Sequence, residues 1–204
     1  MSQAGAPTQD DIQYVRTLAE SGAHAPLLGG RFMAWWGLLI TSAYVLHHFA
    51  LQGAFGGDGI AFLILWVGFA VLGVGGQAIL FRAMPRKAGA GSAGNRASRT
   101  VWIAGGGAIA AMSLGSAAAA ESGAGVTAFD WIVPLAFAVY ACALVVTGSL
   151  ARSRVTIAAG IGAILMVGLF TALILSEGRY LVAALGAFLT VFAPGVLLLR
   201  AEPR

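Results

Sequence analysis

Six apolar stretches decide what this chain can become. They cover residues 32–51, 60–81, 101–120, 131–150, 155–175 and 180–199, and none has Asp, Glu, Lys or Arg in its interior. Each is close to the ~20 residues that an α-helix needs to cross a ~30 Å hydrocarbon core. In lipid a backbone must satisfy its own hydrogen bonds, which an isolated helix does and an open strand does not. The expected fold class is therefore all-α: a polytopic membrane protein, a bundle of six transmembrane helices, preceded by a short N-terminal amphipathic helix.

Composition agrees. Of 204 residues, 59% are hydrophobic and 10% charged, against about 25% charged in soluble domains. The division expected is a cytoplasmic segment 1–30 and a transmembrane domain 31–204. In the first, Thr8 and Asp11 are spaced as a capping box. Ile12, Val15, Leu18 and Ala19 then share one helical face, and Gly22 is a stop. No basic n-region precedes an early apolar run, so no cleaved leader is expected.

Lys and Arg fix the expected orientation. Arg16, Arg31, Arg82, Arg86, Lys87, Arg96, Arg99, Arg152, Arg154, Arg200 and Arg204 all fall on one side if every stretch spans, and Arg179 falls alone on the other. The positive-inside rule places both termini in the cytoplasm. Short loops and the absence of a targeting segment point to a bacterial inner membrane. The net charge of +4 then serves topology and lipid contact, and no nucleic-acid partner is expected. The loop 82–100, with Arg82, Arg86, Lys87, Arg96 and Arg99, is the basic cytoplasmic loop, a topology signal or a docking site for a cytoplasmic partner.

The third stretch is made largely of Gly, Ala and Ser. Gly107, Ala111 and Gly115 recur every four residues, a helix-packing pattern that lets backbones approach closely in lipid. The expectation is that this helix lies in the interior of the bundle. Arg82 and Arg200 both open an R-A-x-P-R sequence. Convergence at inward helix ends explains it, and duplication of a helical hairpin is the alternative. Pro194 removes a backbone donor beneath Thr190, so a kink is expected in the sixth helix. Pro134 is tolerated in the first turn of the fourth helix if Asp130 caps it.

Polar chemistry is sparse. Thr41, Tyr44 and His48 share one face of the first helix, with His47 turned about 100° away; this stripe is the candidate polar site. His47 and His48 are adjacent on one helix and cannot bind one haem iron from both faces. Ser116 has no His or Lys in a later span to act as its base. Gly105–Gly107 lacks the Lys and Ser/Thr of a phosphate-binding loop. The acidic residues Asp58, Glu121, Asp130 and Glu177 gather at the outer border without metal-ligand spacing. No enzyme, cofactor or metal is expected. The reading is a non-enzymatic integral membrane protein acting through helix–helix association, as an accessory subunit, a membrane partner of a cytoplasmic regulator or a homo-oligomer. The alternative is a small transporter or channel for a small neutral solute, carried by Gln77, the polar stripe and Pro194.

Overall fold

The computed structural model describes residues 8–13, 28–56, 59–82 and 91–201. It is helical throughout its long elements. α1 is Gly30–Leu51, α2 Gly59–Arg82 and α3 Ala93–Ala119, which tightens into a π turn over Ala120–Ala124. A 3₁₀ turn, Val126–Trp131, leads into α4, Ile132–Leu150. α5 is Arg154–Ala172, and α6 is Arg179–Ala201 with a π turn at Phe188–Phe192.

Five of these, α2 to α6, are long and apolar enough to cross a membrane. α1 is long enough at 22 residues but less apolar, because it carries Trp35, Trp36, Thr41, Ser42, Tyr44, His47 and His48. Its polarity matches its position. Ile40 and Tyr44 of α1 pack with Val133, Phe137 and Ala141 of α4, Ala163 and Phe170 of α5, and Tyr180, Ala183, Ala184 and Ala187 of α6. The core is thus built from α1, α4, α5 and α6.

α2 and α3 flank that core. In the most apolar part of each, 6% of residues are buried, against 44% in α4 and in α6. This corrects the expected interior position of α3. Its Gly and Ala residues do not bring neighbours around it: Gly107, Ala111 and Gly115 face outward, and a Cβ on Gly107 or Gly115 would meet nothing within 4 Å. Only Ser116 among its described side chains is buried. Among the described residues α3 packs mainly on α4, through Gly105 against Val139 and Trp102 against Tyr140, and Ser116 Oγ donates to the Ala128 carbonyl of the 3₁₀ turn.

Successive helices run in opposite directions. Phe32 meets Phe81, Gly148 meets Ile157, and Gly37 meets Phe192. One end of the bundle therefore carries Arg31, Arg82, Arg96, Arg99, Arg152, Arg154 and Arg200 and is called the basic end below. The other is the far end.

The close helix contacts lie elsewhere than the sequence pattern placed them. A Cβ on Gly37 would stand 2.5 Å from the backbone N of Phe192, and one on Gly195 2.5 Å from that of Ala34. Gly30 lies equally close to the Leu198–Leu199 backbone. Three glycines thus seal α1 against the last turns of α6, the small-residue packing that lipid-embedded helices use.

Helix ends follow local chemistry. Ser92 caps α3, its hydroxyl accepting from Asn95 N at 3.3 Å, so α3 starts inside the expected basic loop and Arg96 and Arg99 sit on its first turns. Asn95 Oδ1 also accepts from Leu28 N at 3.1 Å, tying the segment before α1 to α3. Gly123 (φ 107°) and Gly125 (φ 67°) supply the left-handed residues that end α3 and turn the chain into α4. Ser153 caps α5 by accepting from Thr156 N.

Residues 9–13 are helical, and Thr8 and Asp11 exchange capping bonds: Thr8 N donates to Asp11 Oδ2 at 2.9 Å and Asp11 N to Thr8 Oγ1 at 3.3 Å. The Thr8 hydroxyl, then its N–H, holds the Asp11 carboxyl below the ordinary carboxylate range. Val15, Leu18, Ala19, Gly22 and His24 lie outside the described residues, as do Asp58, Arg86 and Lys87.

Candidate functional site

The polar residues of α1 are spent largely on its neighbours. Trp36 Nε1 donates to Gln77 Oε1 of α2 at 2.6 Å. Towards the far end the roles reverse, and Trp66 Nε1 of α2 donates to His47 Nδ1 of α1 at 3.1 Å. An indole N–H is only a donor, so His47 Nδ1 holds a lone pair and the neutral ring carries its proton on Nε2. The two bonds lace α1 to α2, one in each half.

His47 also lies against Tyr180 of α6, ring centroids 4.0 Å apart. The Tyr180 hydroxyl donates to Asp130 Oδ1 at 2.6 Å. Arg179 closes on the same carboxylate, Nε 3.3 Å from Oδ1 and Nη2 3.4 Å from Oδ2, and its guanidinium carbon stands 5.2 Å from the Tyr180 ring centroid. Asp130 is 7% exposed, so its charge is tolerable because it is paired and hydrogen-bonded. His47, Tyr180, Asp130 and Arg179 thus form one continuous cluster joining α1, α6 and the 3₁₀ turn before α4 at the far end, with Trp66 of α2 on its flank.

The structure corrects one role here. Asp130 does not cap α4: the helix is preceded by Trp131 with no side-chain cap bond, and the carboxylate turns to Tyr180 and Arg179 instead. The 3₁₀ turn already continues into α4, so Pro134 needs no cap to sit there. The signal in the sequence was Arg179 itself, the lone basic residue on that side, which has its counterion in Asp130.

The remaining stripe residues divide. Tyr44 is 2% exposed and packs between Trp66 and Tyr180, with centroids 6.1 Å from each. His48 is buried, and the Gln52 amide nitrogen lies 3.1 Å from its Nε2. As the amide donates, the His48 proton is on Nδ1, which is buried and has no partner among the described residues. Thr41 Oγ1 is in the same condition. The expected face of Thr41, Tyr44 and His48 therefore holds two unanswered polar atoms on either side of a core tyrosine, and His47 belongs to the cluster described above.

Pro194 is accommodated by a change of helix type. Ala193 N donates to the Phe188 carbonyl five residues back, the i→i−5 bond of a π turn, a feature frequent at functional sites. Thr190 Oγ1 donates to the Gly186 carbonyl at 2.8 Å. Of the basic residues, Arg82 ends α2 and is exposed, and Arg96 Nη1 donates to the Gly91 carbonyl. The aligned glycines of the R-A-x-P-R repeat have unlike surroundings: Gly68 is open, whereas a Cβ on Gly186 would meet Met166. Among the described residues no three His, Cys, Asp or Glu side chains gather as a metal site.

The chain matches no family model, no curated protein and no solved structure. What it does must be argued from its own surfaces and polar groups.

Proposed function

We propose that the chain is a non-enzymatic integral membrane protein that crosses a bacterial inner membrane six times, both termini in the cytoplasm, and acts by binding a transmembrane helix of another membrane chain along α3. That makes it an accessory subunit or the membrane partner of a cytoplasmic regulator. The observation that carries the reading is the placement of α3. A helix whose Gly107, Ala111 and Gly115 turn outward offers lipid little side chain to contact and offers another helix a close approach. A hollow of about 400 Å³ beside Gly115, lined by Met112, Ser116, Ala119, Thr127 and Trp131, gives that face relief into which a partner side chain fits. Asn95 ties α3 to the chain before α1, so a helix docked on α3 is coupled to the basic end.

A photo-reactive side chain at position 111, activated in intact membranes, tests the reading. A defined protein adduct at 111, and lipid adducts alone at the outward Val71 of α2, is the expected result. Lipid adducts alone at both positions would overturn it.

The alternative, a path for a small neutral solute, draws on Thr41 Oγ1, His48 Nδ1 and the π turn at Phe188–Phe192. It requires that Thr41→Val and His48→Leu abolish a solute flux while the α3 face stays dispensable.

A further inference from the structure

The geometry points to His47 as a proton-operated latch between α1 and α2: the far half of α2 is docked while His47 Nδ1 is unprotonated and is released when it takes a proton. The bond concerned runs from Trp66 Nε1 to His47 Nδ1 at 3.1 Å. The indole nitrogen has no lone pair to offer, and both nitrogens of an imidazolium are donors. Protonation thus sets two N–H groups against each other, and the bond cannot persist. No rotation of the indole turns its N–H into an acceptor.

The consequence falls on the far half of α2, which is held by this bond together with the packing of Trp66 against Tyr44 and of Phe69 against Trp36. Gly73 is the buried residue of α2, and it lies against Trp36 in the other half. Gln77, bonded to Trp36, anchors that half independently of His47. Towards the far end Phe62 and Trp66 pack against His47, with centroids 4.9 and 5.8 Å away. The latch therefore acts on one end of α2, with the Trp36–Gln77 bond as its fixed point.

Burial of His47 resists an added charge, and the groups around it act in both directions. From α6, Tyr180 presents its ring face at 4.0 Å, an arrangement that favours a cation. Asp130, in the 3₁₀ turn before α4, faces the cluster with negative charge, and Arg179 of α6 opposes with positive charge while pairing with it. On α1 itself Tyr44 and His48 flank His47, and on α2 the facing groups Phe62 and Trp66 do not titrate. His48 and Asp130 are thus the other groups whose titration has to be separated from that of His47.

The test uses the full chain in lipid nanodiscs, in a Cys142→Ser background because Cys142 is exposed. Spin labels are placed at Leu63→Cys on α2 and Val126→Cys before α4, both exposed positions. Between about pH 8 and about pH 4 the inter-label distance is expected to lengthen and its distribution to broaden. In His47→Asn, whose amide oxygen takes the place of Nδ1 as acceptor and does not titrate, the distance should stay at the high-pH value throughout. His48 and Asp130 remain in that variant. If His47→Asn fails to insert, Trp66→Phe replaces it: without the donor there is no bond to break, and acid should no longer move the label. An unchanged wild-type distance, or a pH response retained in His47→Asn or Trp66→Phe, would overturn the latch.

Discussion

Gly37 of α1 and Phe192 of α6 touch backbone to backbone: a Cβ on Gly37 would lie 2.5 Å from the Phe192 nitrogen, inside any van der Waals limit. Phe192 is the last residue of the π turn that precedes Pro194. The glycine and the irregular turn are therefore one device, in which α1 fits against the segment of α6 that a regular helix would shape differently.

Gly37→Ala should destabilise the protein by about 1–3 kcal/mol, the range for overpacking a tight contact. Gly107→Ala, where the added carbon meets nothing, should cost under ~0.5 kcal/mol, and its gain in helix propensity should offset even that. Thermal unfolding of the two variants in one detergent, compared with wild type, checks the contrast.

Tyr180→Phe leaves Asp130 with Arg179 but removes the 2.6 Å hydroxyl bond. A loss of about 1–3 kcal/mol is expected for a buried hydrogen bond to a charged group. Arg179→Leu should cost more, about 3–5 kcal/mol, because it strands a buried carboxylate. Asp130→Asn combined with Arg179→Leu should recover part of that loss. Denaturant or thermal melts of the three variants measure it.

Trp36→Phe deletes the donor to Gln77 and also the benzo edge that lies against Gly73, so lost packing adds to the lost hydrogen bond. Interhelical hydrogen bonds in membranes are worth roughly 0.6–2 kcal/mol, and a loss of at least that size is expected. Trp36→Phe with Gln77→Leu should be closer to wild type than Trp36→Phe alone, since both partners then vanish together.

Arg152 is the non-glycine residue with positive φ (53°) among the described residues, in the short turn where Ser153 N donates to the Gly148 carbonyl at 2.8 Å. Arg152→Gly should stabilise this α4–α5 turn by about 1 kcal/mol. Arg154 remains beside it to mark the basic end, so insertion should be unchanged in a reporter-fusion assay.

Much of this architecture is legible in the sequence because lipid forces it. The edges of five of the apolar stretches lie within a few residues of helix ends, since each is bounded by charge or by Gly and Pro. The third is the exception: Ser92 starts α3 early, and a capping serine in a loop rich in Gly, Ala and Ser has no contrast around it. The position of α3 was legible only in part. Small residues such as Gly107 and Gly115 announce close helix approach, yet the pattern is the same whether the approaching helix belongs to the same chain or to another. The glycines that join α1 to α6 backbone to backbone, Gly30, Gly37 and Gly195, are scattered over two distant segments, so no local period reveals them. Asp130 illustrates a second limit. A carboxylate just before a helix has a ready local role as a cap, and only the fold brings Tyr180 and Arg179 to it from 50 and 49 residues away.

The most direct test of the proposed role is the native mass of the complex after gentle extraction, for wild type and for Gly107→Leu/Ala111→Leu/Gly115→Leu. Wild type should carry a second polypeptide or appear as a fixed multiple of the 20.8 kDa chain, and the triple variant, whose new side chains point away from the bundle, should appear as a folded single chain. A wild-type chain that is alone, or a triple variant that keeps its partner, would contradict association through α3.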